Sequence, residues 1–132
     1  MTPIPGQKLP PLIVEAVSPD LMAEWAVFLD DPNPIHLDLA AVEAMGLGSR
    51  RINQGPMNAG YVVEALRRAL PGHRLVDLTT SFRDNVFEGE RLSVAAKVSD
   101  VGGDGTVTCD FTLSADGRVA LSGQAVLTAL RG

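Results

Sequence analysis

Apolar and polar positions change their period halfway along the chain: they recur with helical spacing up to about Leu70 and alternate from Leu78 onward. After a proline-rich start, Leu12 to Val17 reads as a first strand. Ser18-Pro19-Asp20 then supplies an N-cap, a proline at the first helical position and an acid in the first turn, so a helix begins there. Leu21, Trp25, Phe28 and Leu29 follow at i, i+4, i+7 and i+8, an apolar stripe expected to face the core, and DDPNP at 30 to 34 ends it. Asp38 is placed to cap a second short helix reaching about Met45, and Gly46 and Gly48 let the chain turn away. Gly55-Pro56 opens a third helix running to about Leu70 and closed by Pro71-Gly72. Met57, Ala59, Tyr61, Val62, Val63, Ala65 and Leu66 surround it, and a helix apolar on nearly every side is expected to be buried.

Alternation then marks four strands: Leu78, Thr80 and Phe82; Leu92, Val94, Ala96 and Val98; Val107, Cys109, Phe111 and Leu113; and Val119, Leu121, Ala125, Leu127 and Ala129. GGDG at 102 to 105 and Asp116-Gly117 offer the positive φ angles of tight hairpins, which argues for antiparallel neighbours. Gly123 is expected to mark a bulge in the last strand. Helices first and strands afterwards define an α+β chain, and a long buried helix followed by a meander predicts an antiparallel sheet curved around that helix.

Composition narrows the classes of function. The 132 residues suit one domain spanning 1–132, with one core. The net charge is −5 and the basic clusters are pairs, Arg50-Arg51 and Arg67-Arg68, too short to follow a phosphate backbone, so nucleic acid is not an expected partner. Cys109 stands alone on an apolar alternation and is expected to be a buried, inert thiol. No stretch approaches the ~18 consecutive apolar residues of a membrane span, and the start lacks a charged leader, which makes the cytoplasm the expected compartment and a membrane no partner.

The chemistry concentrates in DDPNPIHLD at 30 to 38, where Asp31 and His36 bracket a loop stiffened by Pro32 and Pro34. From spacing alone the segment has two readings. Asp and Asn before Pro form ordinary turns, and a His after a turn often serves only the backbone. Alternatively, a carboxylate and an imidazole fixed close together can hold one water between them, as a hydration reaction needs.

The same segment resembles the signature of the MaoC-like (R)-specific enoyl-CoA hydratases, with Asp31, Asn33, Pro34, His36 and Asp38 at the matching places. RINQGPMNAGYVVEAL at 51 to 66 is similar to the family's Ile, polar pair and Gly leading into the central helix, and SFRDNVFEGERL at 81 to 92 is a weaker match. The resemblance covers roughly residues 20 to 100. It implies a single hotdog fold, in which an antiparallel sheet wraps a long central helix, and the reversible hydration of a trans-2-enoyl thioester to the (R)-3-hydroxyacyl form. It implies Asp31 and His36 as the acid/base pair, without assigning the base. Gly55, Asn33 and Gln54 become oxyanion or substrate-binding candidates. Gly55 would offer a backbone amide at the helix start, although glycine there also simply suits the backbone, and Asn33 would brace the loop or touch substrate. Asp38 reads as a cap. Arg50, Arg51 and Arg83 are candidates for the phosphates of CoA, while His73 reads as a solvated loop residue. No metal or other cofactor is expected, CoA or an acyl carrier being part of the substrate. A homodimer, or an assembly of dimers joined edge to edge, is the expected state.

Two departures stand out. Asp30 occupies a place that is usually Gly in this family, adding a second carboxylate that would raise its neighbour's pKa if both were buried. Gln54 replaces a common His, with Pro56 close behind, which bears on the shape of the acyl pocket. Competing readings are a hotdog acyl-CoA thioesterase, whose carboxylate on the central helix would be Glu64, and a non-catalytic acyl-binding subunit of a heterodimeric hydratase. A fatty-acid-synthesis dehydratase ranks behind these, because its His loop has no counterpart.

Overall fold

A computed structural model describes residues 2–31 and 33–130, so the stiffening assigned to Pro32 falls outside the described residues. The elements are β1 (Leu12–Val14), α1 (Pro19–Phe28), a 3₁₀ turn (Pro34–His36), α2 (Leu39–Ala44), α3 (Gly55–Ala69), β2 (His73–Phe82), β3 (Leu92–Val101), β4 (Thr106–Ala115) and β5 (Arg118–Ala129). The strands form one antiparallel sheet in the order β1-β3-β4-β5-β2. α3 packs against β1, β2, β3 and β4, which is the α+β hotdog arrangement.

The core lies between the inner sheet face and α3. Val62, Ala65, Leu66 and Ala69 of the helix meet Leu92, Val94, Val98, Val107, Cys109, Leu113 and Leu127 of the strands in one cluster. Cys109 is buried there, and desolvation followed by the nearby Asp110 carboxylate pushes its thiol up to about 11. Asp116 and Gly117 both take positive φ (46° and 84°), the pairing a two-residue primed hairpin requires between β4 and β5.

Several expectations change. β1 stops at Val14, because Val17 turns to exchange hydrogen bonds with Gly89 and Glu90 in place of extending the strand. The stripe on α1 does not face the core: Met22 and Ala26 are buried, whereas Val27 is 84% and Phe28 79% exposed and Leu21 is exposed too. Trp25 and Phe28 meet edge to face, with centroids 5.3 Å apart. α3 is buried on one side only, with Val63 at the surface.

The bulge of β5 falls at Ala120, which the register with β4 skips, so that Ala120 and Leu121 are both buried and Val119 is turned out. Gly123 sits in regular register beside Thr80 and Phe111. Its hydrogen is needed because a Cβ would collide with the Thr79 carbonyl oxygen and approach Phe111 Cζ to 2.8 Å. Phe82, expected on the inner alternation, is 57% exposed and lies beside the start of α3. His73 is not in a loop but opens β2 opposite Ala129, half-buried.

Candidate active site

The site is assembled at the end of α1. Asp30 donates its amide to Val27 and Asp31 donates to the Ala26 carbonyl (2.9 Å), the crossed pair of bonds that closes a helix through a left-handed residue. That residue is Asp30, at φ +49°, where glycine pays no steric penalty.

Asp31 divides its carboxylate between two tasks. Oδ1 accepts from the Asn33 amide at 3.1 Å, and Oδ2 faces His36 Nε2 at 3.2 Å. Asn33 in turn accepts from the Ile35 amide at 3.2 Å and starts the 3₁₀ turn, so its side-chain oxygen braces the loop. Asp38 caps α2, with Oδ1 accepting from the Ala40 amide at 2.9 Å.

His36 ends that turn at 7% exposure, while the Asp31 side chain remains 32% exposed. The Ile52 carbonyl lies 2.6 Å from His36 Nδ1, and because a carbonyl only accepts, Nδ1 carries a proton there. In the neutral ring the Nε2 lone pair then points toward Asp31. Two acceptors facing each other at this distance attract only when one of them carries a proton, and a bound water can join them only from the side of the contact.

The short strap from Ile52 to Gln54 joins this loop to α3. Ile52 donates back to the Ile35 carbonyl (2.9 Å), Asn53 donates to the Val86 carbonyl (2.7 Å), and Gly55 starts the helix. No side chain caps α3, and Pro56 has no N–H, so the Gly55 amide at the positive end of the helix dipole has no partner among the described residues.

Gln54, expected beside substrate, is completely buried. Its Nε2 donates to the Met22 carbonyl of α1 at 2.7 Å, while its Oε1 has no partner among the described residues. Next to it the Asn53 side-chain amide donates to Asn58 Oδ1 at 2.6 Å, and Asn53 Oδ1 also has no partner among the described residues. Such orphan buried acceptors cost about 1–3 kcal/mol each.

A cavity of about 330 Å³ opens beside the imidazole, lined by Pro19, Asp20, Ala23, His36, Leu37 and Arg51. Arg51 is committed to bracing it: its Nη1 meets Glu88 Oε2 at 2.9 Å and its Nε donates to the Leu37 carbonyl at 3.0 Å. Arg50 lies over the Phe87 ring, 4.9 Å from its centroid, and Arg83 Nε donates to Ser122 Oγ at 2.6 Å. Glu64 is held by hydrogen bonds from Arg67 and then Arg68, which lower its pKa to about 2. Among the described residues no group of three or more His, Cys, Asp or Glu is placed to hold a metal ion.

Sequence reasoning missed the Ile52 carbonyl, the Gln54 tie to α1 and the fully buried Glu90 paired with Arg118 (2.7 Å). The first two are contacts made by backbone carbonyls, which every residue carries, so the sequence offers no signal for them. Glu90 stands between Gly89 and Arg91 in a charged stretch, so nothing in the sequence hinted at its burial.

The fold has counterparts among solved structures. The (R)-hydratase from A. caviae involved in PHA biosynthesis is similar over 96% of both chains, with 26% identity and a TM-score of 0.87. The unliganded (R)-hydratase of Pseudomonas aeruginosa matches with a TM-score of 0.86 and 22% identity, over 98% of this chain and 83% of that one. A chain of the ChsH1-ChsH2 complex from Mycobacterium tuberculosis matches with a TM-score of 0.85 and 16% identity, over 96% of this chain and 98% of that one. The last two, at these identities, show the shared fold. No curated protein matches the sequence. Among the described residues no helix is long and apolar enough to cross a membrane. The model of the MaoC like domain family matches residues 2–116, nearly the whole chain, and the chain belongs to that family.

Proposed function

We propose that this chain adds water reversibly across the double bond of a trans-2-enoyl thioester, carried on CoA or an acyl carrier, to give the (R)-3-hydroxyacyl thioester. The observation that carries the reading is the Asp31 to His36 approach of 3.2 Å, with the opposite ring nitrogen spent on Ile52. A water lying beside the pair, hydrogen-bonded to both Nε2 and the carboxylate, would present its oxygen to the β-carbon, and the coupled pair would take one of its protons and return one to the α-carbon. The thioester oxygen, which gains charge as the β-carbon is attacked, would be met by the Gly55 amide and the start of the α3 dipole. Water addition leaves oxidation state unchanged overall, so the proposed chemistry asks only for side chains and amides.

Similarity to the (R)-hydratase from A. caviae over nearly the whole of both chains supports this direction. The thioesterase reading loses support because Glu64, the acid of α3, is clamped by two arginines and is a weak base.

The outer edge of β2 faces no strand among the described residues, and Val76 and Phe82 are exposed along it. We place the partner there: a second copy joined edge to edge, closing an otherwise open sheet. The alternative is a different subunit, in the manner of the ChsH1-ChsH2 complex.

A short trans-2-enoyl-CoA tests the activity. Loss of the conjugated-thioester absorbance, with an (R)-3-hydroxyacyl product and no such loss in His36→Ala, is the expected result. Release of free thiol would mean thioester hydrolysis, and no reaction would mean a binding subunit.

A further inference from the structure

We infer that Gln54 is a positioning residue that fixes how far the Asp31 carboxylate stands from the His36 imidazole; the inference rests on the dyad reading above. Both members of the pair are tied to one short strap. The Ile52 carbonyl holds His36, and two residues later the Gln54 amide holds the Met22 carbonyl of α1, the helix whose closing hydrogen bond carries Asp31. The strap itself is anchored on a third side by the Asn53 bond to Val86. Imidazole and carboxylate thus reach each other from two elements, and the Gln54 bond is the side-chain link that joins the strap to the second of them.

Gln54 is a poor choice as mere packing. It is wholly buried, and its Oε1 is left without a donor among the described residues. An unbranched apolar side chain of similar length would fill the same space without an orphan acceptor. The Met22 carbonyl lies inside α1, where the amide one turn on serves it, so losing the Gln54 donor leaves no new orphan there. What the glutamine adds is a directional tether, and rules of local economy are broken where function requires it.

Gln54→Met separates the two roles. A tether to the dyad predicts a kcat for enoyl-thioester hydration lowered roughly 10- to 100-fold with KM little changed, because small displacements of reacting groups are that costly. The same variant keeps, or raises, its urea midpoint, since an orphan oxygen is gone. Gln54→His, which retains an N–H donor, recovers most of the rate. The ring ¹⁵N signals of His36 in Gln54→Met move toward those of Asp31→Asn. This last readout is independent of turnover, so if the wild-type chain hydrates no enoyl thioester the proposed function fails while the tether is still decided by the ring signals. Unchanged ring signals overturn the inference, as does a fall in rate matched by an equal loss of midpoint.

Discussion

The amide of Asp31 donates to the carbonyl of Ala26 at 2.9 Å, so the carboxylate that meets His36 is carried by the last hydrogen bond of α1. Helix closure and site geometry are one structure here. The residue that makes the closure possible, Asp30, holds a left-handed backbone that an L side chain tolerates poorly. Asp30→Gly is therefore expected to stabilise the fold by ~0.5–1 kcal/mol, with hydration activity retained. Urea unfolding at unchanged slope checks this, and a lower midpoint would contradict it.

Asp31→Asn isolates charge from architecture. An asparagine oxygen can still accept from the Asn33 amide, so the loop should persist, while the carboxylate opposite Nε2 is lost. Hydration is expected to fall by about 10²- to 10⁴-fold with the unfolding midpoint nearly unchanged. Steady-state kinetics beside urea titration would reveal whether the two quantities separate.

Two glycines make opposite predictions. Gly123→Ala forces a methyl into the Thr79 backbone and the buried Phe111 ring and should cost about 3 kcal/mol. Gly55→Ala meets only the exposed Phe82 ring, at 3.3 Å, and should cost no more than about 1 kcal/mol. Equal effects in thermal unfolding would sink the close-approach explanation of Gly123.

Glu90 supplies the pH-dependent case. Burial alone would push its carboxyl up, but the Arg118 fork, the Phe87 amide and the charges of Arg118 and Arg50 outweigh it and hold the group below its ordinary 4.5. A folded value below the unfolded one means that Glu90 adds stability above about pH 4.5, lost as pH falls through the folded value. Arg118→Met strands the buried carboxylate and should cost about 3 kcal/mol at neutral pH, the low end for a broken buried pair because Arg118 is itself 39% exposed. The deficit should shrink on acidification as the stranded carboxyl takes up a proton. A deficit that stays constant or widens in urea titrations at falling pH would refute the assignment.

Much of the architecture was readable because the signals were local. Ser18, Asp38 and Asp116-Gly117 act through their own backbone neighbours, and the structure uses each as its residue type demands. The orientation of α1 was not readable. Its two apolar faces, Leu21/Trp25/Phe28 and Met22/Ala26, compete for burial, and the buried one meets partners far along the chain, from the core strands to Gln54, 32 residues away. The β5 bulge was expected at Gly123 and falls at Ala120 for a related reason: Gly123 announces a crowded position, but the partner crowding it, Thr79, lies on another strand. Within the site, the spacing of Asp31 and His36 left two readings, and the resemblance to the MaoC-like signature named them as a pair. The proton position on the imidazole was not readable, since it is set by a carbonyl.

The outward turn of α1 has one practical consequence. Trp25 is the chain's single tryptophan, and it sits half-buried in edge contact with Phe28 on the helix that ends at Asp31. Its emission is a native optical reporter on that helix, so ligand arrival or loosening of the helix can be followed by fluorescence without attaching a dye.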